Sequence, residues 1–209
     1  MDNDEEREWP EGEEQAWQRL AELSRTVVCR NAGAGYDAAS GSYILPLFNT
    51  EIYVSPKDRS IRGSSGVADI LLNGLSQFSR LASMNYLSGA VDIPLSGSLI
   101  HPRELSGGEL FFTRGEHILP LDRMAARYGR DLDVFVRKGL ALGGKNLDYG
   151  DASIGLLPFP RVLVVLIMWK EDDEFPARAD LLFDSTCSRH LSTDMLWATA
   201  MMTILLLLA

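Results

Sequence analysis

Arg161-Val162-Leu163-Val164-Val165-Leu166-Ile167-Met168-Trp169 is the stretch on which the fold turns. Positions 162 to 168 are all apolar, so neither face of an extended segment offers water a polar stripe. Valine and isoleucine dominate the run, and their branched Cβ favours strand backbone. The run reads as a central strand covered on both sides.

The neighbouring segments supply partners for it. Ala152–Leu157 and Ala179–Phe183 read as strands. The acidic stretch Asp172-Asp173-Glu174 reads as a solvated turn before the second of these, with Phe175-Pro176 packing it down. Further upstream, Ser42–Phe48 and Glu51–Ser55 form a hairpin turned at Asn49-Thr50, and a short strand lies near 59–62. Apolar residues at helical spacing predict helices over 11–32 (Trp17, Leu20, Leu23, Val27, Val28) and 67–87, and a helix pair over 118–142 that ends at Gly143-Gly144. The last helix runs from about Thr193 to the end, capped by Ser192 or Thr193. Its residues 195–209 are apolar except Thr199 and Thr203, and they are too few for the roughly 17–25 of a membrane span. They read as a terminal helix buried on most sides; a dimer interface and a membrane anchor are the alternatives. The expected architecture is α+β. One domain over 11–209 has a mostly antiparallel central sheet, with Val162–Trp169 at its centre, packed by about four helices. A disordered acidic lead, 1–10, precedes it.

The 209 residues are 46% hydrophobic and 23% charged, enough to bury a core without staples. Of the net charge of −9, residues 2–14 carry eight acids against Arg7, and 171–194 carry seven against Arg178 and Arg189. An acidic chain repels phosphate backbones, so nucleic acid is not an expected partner. Cys29 and Cys187 cannot build a disulfide framework or a four-cysteine metal site. With no basic n-region and no apolar h-region at the start, a cytoplasmic setting with free thiols is expected.

No catalytic, metal or cofactor motif stands out. His101, His117 and His190 give no H-x-x-x-H pair, no G-x-S-x-G occurs, and Gly33-Ala34-Gly35 follows a helix rather than a strand. No metal and no cofactor are expected. His101-Pro102-Arg103 is an extended X-Pro segment whose His and Arg suit an anion. Asp151, after Gly150, reads as a turn cap or, alternatively, a base. The acids Asp172, Asp173, Glu174, Asp180 and Asp184 match no calcium loop. Arg123, Arg127 and Arg130 are offset by nearby Asp122, Asp131 and Asp133 and read as a solvated face.

Several separated motifs occur in order along the chain. They are Tyr43-Ile44-Leu45-Pro46-Leu47, Tyr86-Leu87, Pro94-Leu95-Ser96-Gly97, Gly150-Asp151-Ala152-Ser153, Phe159-Pro160-Arg161-Val162, Trp169, Asp173-Glu174-Phe175-Pro176-Ala177, Leu182-Phe183-Asp184 and His190-Leu191-Ser192. Together they resemble the DUF3786 family over roughly residues 35–208. That family is a domain of unknown function, frequent in anaerobic bacteria and archaea. Some members are fused to a cysteine-rich iron–sulfur domain like that of corrinoid iron–sulfur proteins. The resemblance implies a link to anaerobic one-carbon or corrinoid metabolism, with a corrinoid or iron–sulfur protein as partner. This chain has no cysteine cluster, so a cluster-carrying role is not expected.

Three functional readings follow. The first is a non-catalytic ligand- or protein-binding accessory factor, with His101, Arg103, Asp151, Arg161, Glu174, Asp184 and His190 as candidate binding residues. The second is an enzyme with an acid/base site built from Asp151, Arg161, Glu174, Asp184 and His190. The third is an oligomeric or membrane-peripheral protein that uses the apolar C-terminal helix.

Overall fold

The computed structural model describes residues 12–112 and 117–209. The expectation for residues 1–10 lies outside them. Where one central sheet was expected, the chain builds two, and every strand pair in both is antiparallel. β1 (Gly35–Asp37), β2 (Ser42–Leu47), β3 (Thr50–Ser55) and β4 (Ser60–Arg62) form a four-stranded meander in sequence order. The second sheet contains β5 (Leu99–Ile100), β6 (Lys145–Leu147), β7 (Ala152–Phe159), β8 (Val162–Trp169) and β9 (Arg178–Asp184), in the order β5-β9-β8-β7-β6.

The deciding stretch is the middle strand of five. Val162, Val164, Val165, Leu166 and Met168 are fully buried and Ile167 nearly so. The meander joins this sheet through the tip of its hairpin. The turn is Phe48-Asn49, one residue earlier than expected, and Phe48 takes the left-handed region at φ 52°. There its amide donates to the Leu157 carbonyl at 2.9 Å, and the Asn49 side-chain amide donates to the Ala141 carbonyl.

The predicted helix over 11–32 is two helices, α1 (Glu13–Glu22) and α2 (Arg25–Ala32), because Ser24 is extended. The break lets α1 bury Trp17 and Leu20 while α2 buries Val28 and Ala32 in a different direction. Leu23 and Val27, expected on the apolar face, are left 36% and 40% exposed. The helix over 67–87 is likewise interrupted. α3 (Gly66–Asp69) passes through a π-helical turn (Ile70–Gly74) into α4 (Ser76–Gly89). The extra residue in the turn, closed by Leu75 N–H on the Ile70 carbonyl at 2.9 Å, rotates Ile70 outward and keeps Leu71 in the core. After α5 (Gly108–Phe111), the predicted pair resolves as α6 (Leu121–Tyr128) and α7 (Leu132–Ala141), with Asp131 capping α7 through Val134 N–H.

α8 (Thr193–Leu208) is buried on most sides, as expected for so apolar a segment. It packs against α4, α6 and α7. Ser192 is its N-cap but makes no side-chain capping bond; Thr193 instead donates to the Ser106 carbonyl at 3.1 Å. Thr199 and Thr203 donate to the carbonyls four residues back, so their hydroxyls cost little in the core. The Leu207 carbonyl, at the open end of the helix, accepts from the Tyr128 hydroxyl and from Lys138 Nζ. Each buried leucine contributes about 1.5–3 kcal/mol, which binds the tail into the core. Among the described residues no helix is long and apolar enough to cross a membrane.

Candidate functional site

Three of the residues singled out in the sequence converge inside the molecule. Asp184 ends β9 with no solvent exposure. Its Oδ1 accepts from Thr186 Oγ1 (2.6 Å), Thr186 N–H (3.0 Å) and Ser96 N–H (3.1 Å), and its Oδ2 from Gly97 N–H (2.8 Å) and Ser96 Oγ (3.0 Å). Burial alone would push the Asp184 pKa up. The donors from Thr186, Ser96 and Gly97 outweigh it and hold the carboxyl below its ordinary value. Five donors fill the lone-pair sites of an ionised carboxylate and leave none for a substrate or metal.

Arg161 sits at the turn between β7 and β8. Its guanidinium donates to the carbonyls of Asn31 (2.7 Å), Arg30 (3.1 Å) and Ile93 (3.1 Å) and to the Asp92 carboxylate. Its backbone N–H donates to the Tyr86 hydroxyl, which in turn donates to the Ala32 carbonyl, each at 3.0 Å. Tyr86 stacks on Phe159 with centroids 4.6 Å apart, and burial pushes its phenol far above the ordinary value. Arg161 therefore ties the C-terminal end of α2 and the segment after α4 to the central sheet.

His190 is 3% exposed. Its Nδ1 accepts from Val91 N–H at 3.4 Å, so the neutral ring carries its proton on Nε2, which is buried without a partner among the described residues. Burial, then the Arg161 guanidinium, hold its pKa below the ordinary value; Asp184 pulls the other way and Arg189 adds to the depression. Nearby Cys187 is fully buried and its thiol is pushed up to about 12 by burial, which removes it as a nucleophile at neutral pH.

Asp151 and Glu174 do not join this group. Asp151 is exposed at the opposite end of β8, where its Oδ2 accepts from Lys170 N–H at 2.8 Å and its N–H donates to the Met168 carbonyl. That end lies about 25 Å away along an eight-residue strand. Glu174 is exposed in the acidic turn, which Asp172 organises by accepting from Glu174 N–H and Phe175 N–H. The expectation that Phe175 packs this turn down is corrected: the ring is 66% exposed, because Asp172 closes the turn through backbone bonds and needs no apolar anchor. The five residues of the acid/base reading thus do not share one cleft. Among the described residues no group of three or more His, Cys, Asp or Glu side chains is placed to hold a metal ion.

The remaining pair, His101 and Arg103, lines a groove of about 370 Å³ beside β9. Pro102 starts a 3₁₀ turn (Pro102–Glu104) that His101 caps, with Nδ1 accepting from Arg103 N–H at 3.2 Å. With Nδ1 accepting, Nε2–H faces Asp180 Oδ1, 3.2 Å away. Asp180 Oδ1 also accepts from Leu181 N–H at 2.8 Å. Phe112, Leu119, Leu121 and Leu181 line the groove together with the polar Asp122. Arg103 is exposed and has no ion-pair partner among the described residues. Asp180 entered the sequence reading only as part of an acidic patch; its pairing across 79 positions with His101 leaves no local trace in the sequence. Tyr86 was visible only as part of a family motif, since a tyrosine on an apolar helix face reads as core.

No curated protein and no solved structure matches the chain. One family model does, over residues 26–205, and it is described as a domain of unknown function. The Arg161–Tyr86 tie and the Asp184 bonds to Ser96 and Gly97 both fall inside that span. With most of its length matched, the chain belongs to the DUF3786 family.

Proposed function

We propose that the chain is a non-catalytic binding protein that engages its ligand or partner at the groove between β9, the His101–Arg103 turn and the start of α6. The observation that carries this reading is Arg103: an exposed guanidinium without an ion-pair partner among the described residues, lining a groove whose walls are part polar and part apolar. A few fixed polar groups over apolar walls are what ligand sites consist of. The buried groups that resemble catalytic chemistry support the non-catalytic part, since Asp184 and Arg161 spend their hydrogen-bonding capacity on the fold. The family resemblance supports a setting in anaerobic metabolism, with a corrinoid or iron–sulfur protein as partner.

The test is native mass spectrometry of protein purified anaerobically, with calorimetric titration of whatever co-purifies. Wild type is expected to carry or bind a ligand that Arg103→Ala loses while its folding is unchanged. Binding that survives both Arg103→Ala and His101→Ala would place the site elsewhere. A second reading, a homodimer through α8, draws on the half-exposed stripe Trp197, Met201 and Leu205. The subunit count from the same spectra decides it.

A further inference from the structure

We infer that the outer edge of β9 is a strand-addition site, and that the partner is an extended peptide segment of another protein with a carboxylate at the Arg103 end. The inference rests on the groove reading above and names the chemistry of its occupant.

The backbone directions follow from the ladder. The Met168 carbonyl faces β7, where it accepts from Asp151 N–H, and Val162 faces β7 at the two-residue turn that pairs it with Phe159. Even-numbered residues of β8 therefore bond to β7, and odd-numbered ones to β9. In register, Val165, Ile167 and Trp169 meet Leu182, Asp180 and Arg178. That leaves the N–H and C=O groups of Ala179, Leu181 and Phe183 pointing away from β8. Ser185 N–H, next in the alternation, does bond outward, to the Ser98 carbonyl at 2.8 Å.

β5 covers only the end of this edge. It pairs Leu99 and Ile100 with Asp184 and Phe183 and stops where Pro102 turns the chain away. Beyond it the Leu181 N–H is met by the carboxylate of its own neighbour, Asp180, in place of a strand. An acid folded back over an edge amide guards it from indiscriminate pairing, and a peptide carbonyl can displace it.

The space beside this edge is long enough for a strand. The groove at Ala179–Leu181 and a second one, of about 620 Å³ at Pro176-Ala177, share Asp122 on their walls. Residues 176–181 span roughly 20 Å of extended chain. α6 lies under the trough: Met124 and Tyr128 turn into the core, while Asp122 and Ala126 are exposed. Gly129 approaches Ala177 so closely that no side chain fits there. An added strand would set alternate small apolar side chains against Ala125 and Leu121, its other side chains in water, and a carboxylate against Arg103.

The experiment selects random nonapeptides with free C-terminal carboxylates from a library on the full-length protein. Selected sequences are expected to alternate apolar and polar residues and to shift the amide resonances of Ala179 and Leu181. N-methylation of alternate peptide residues on one edge should weaken binding about tenfold or more, and on the other edge leave it unchanged. Ala179→Pro, which removes an outward N–H and fixes φ at about −65°, should abolish binding in the folded protein. Asp180→Ala, which bares Leu181 N–H, should tighten it several-fold. Recovery of no peptide, or of peptides indifferent both to Ala179→Pro and to N-methylation of either edge, overturns the inference. A self-dimer lost in Ala179→Pro would mean that the edge takes a second copy, which overturns the assignment to another protein. If peptides fail while a small molecule still binds in an Arg103-dependent way, the groove reading stands and only the strand-addition step falls.

Discussion

The interior around Asp184 and the groove around Asp180 contain the same kinds of side chain, an acid, an arginine and a histidine, and the two regions use them in opposite ways. Asp184 takes five donors, Arg161 binds three carbonyls and a carboxylate, and His190 holds Val91. In the groove, Asp180 is shared between His101 and Leu181, and Arg103 is left open. Chemistry-bearing residue types do not by themselves mark a site. Burial and the number of hydrogen bonds already made decide whether a group is structural or available.

The largest effect that separates the two regions should come from Asp184→Ala. It strands buried donors from Ser96, Gly97 and Thr186, and a loss of about 3–5 kcal/mol is expected in urea denaturation. A loss below about 1 kcal/mol would put these contacts in the same class as surface bonds and erase the contrast.

A pH titration gives a smaller, graded effect. His190 and Asp184 both have lowered pKa values in the folded state, so the unfolded chain binds more protons as pH falls. Stability is expected to be full above about pH 6.5, the ordinary histidine value, and to decline below it as His190 is protonated in the unfolded chain. A second decline should begin below about pH 4, from Asp184. Denaturation midpoints across pH 3–8 check this, and His190→Gln should flatten the upper decline alone. A flat profile between pH 4 and 6.5 in wild type would contradict the buried neutral imidazole.

The smallest change in stability is expected from Arg103→Ala, within about 0.5 kcal/mol by the same denaturation, because the side chain is exposed and has no ion-pair partner among the described residues. Its effect should fall on binding instead. A large loss of stability would move Arg103 into the structural class and leave the groove without its anchor.

Much of the fold was legible along the chain. The apolar run 162–168 located the central strand, since only a segment covered on both faces can dispense with polar residues. Helical periodicity located each major helix, and the apolar tail could be read as core because water leaves it nowhere else to go. The breaks inside the first two helices were not legible. Leu23 and Val27 continue the apolar pattern and are exposed all the same, because where a helix bends depends on the surfaces it must reach.

What the sequence determined by itself is which segments are strand or helix and which of them must be buried, because periodicity and hydrophobicity act within a few residues. What only the tertiary structure decided is the division into two sheets, the gathering of Arg161, Asp184 and His190 in one interior, and the meeting of His101 with Asp180 at an open strand edge. Those juxtapositions join residues tens of positions apart. Their cause is the packing of whole elements, and no local pattern records it.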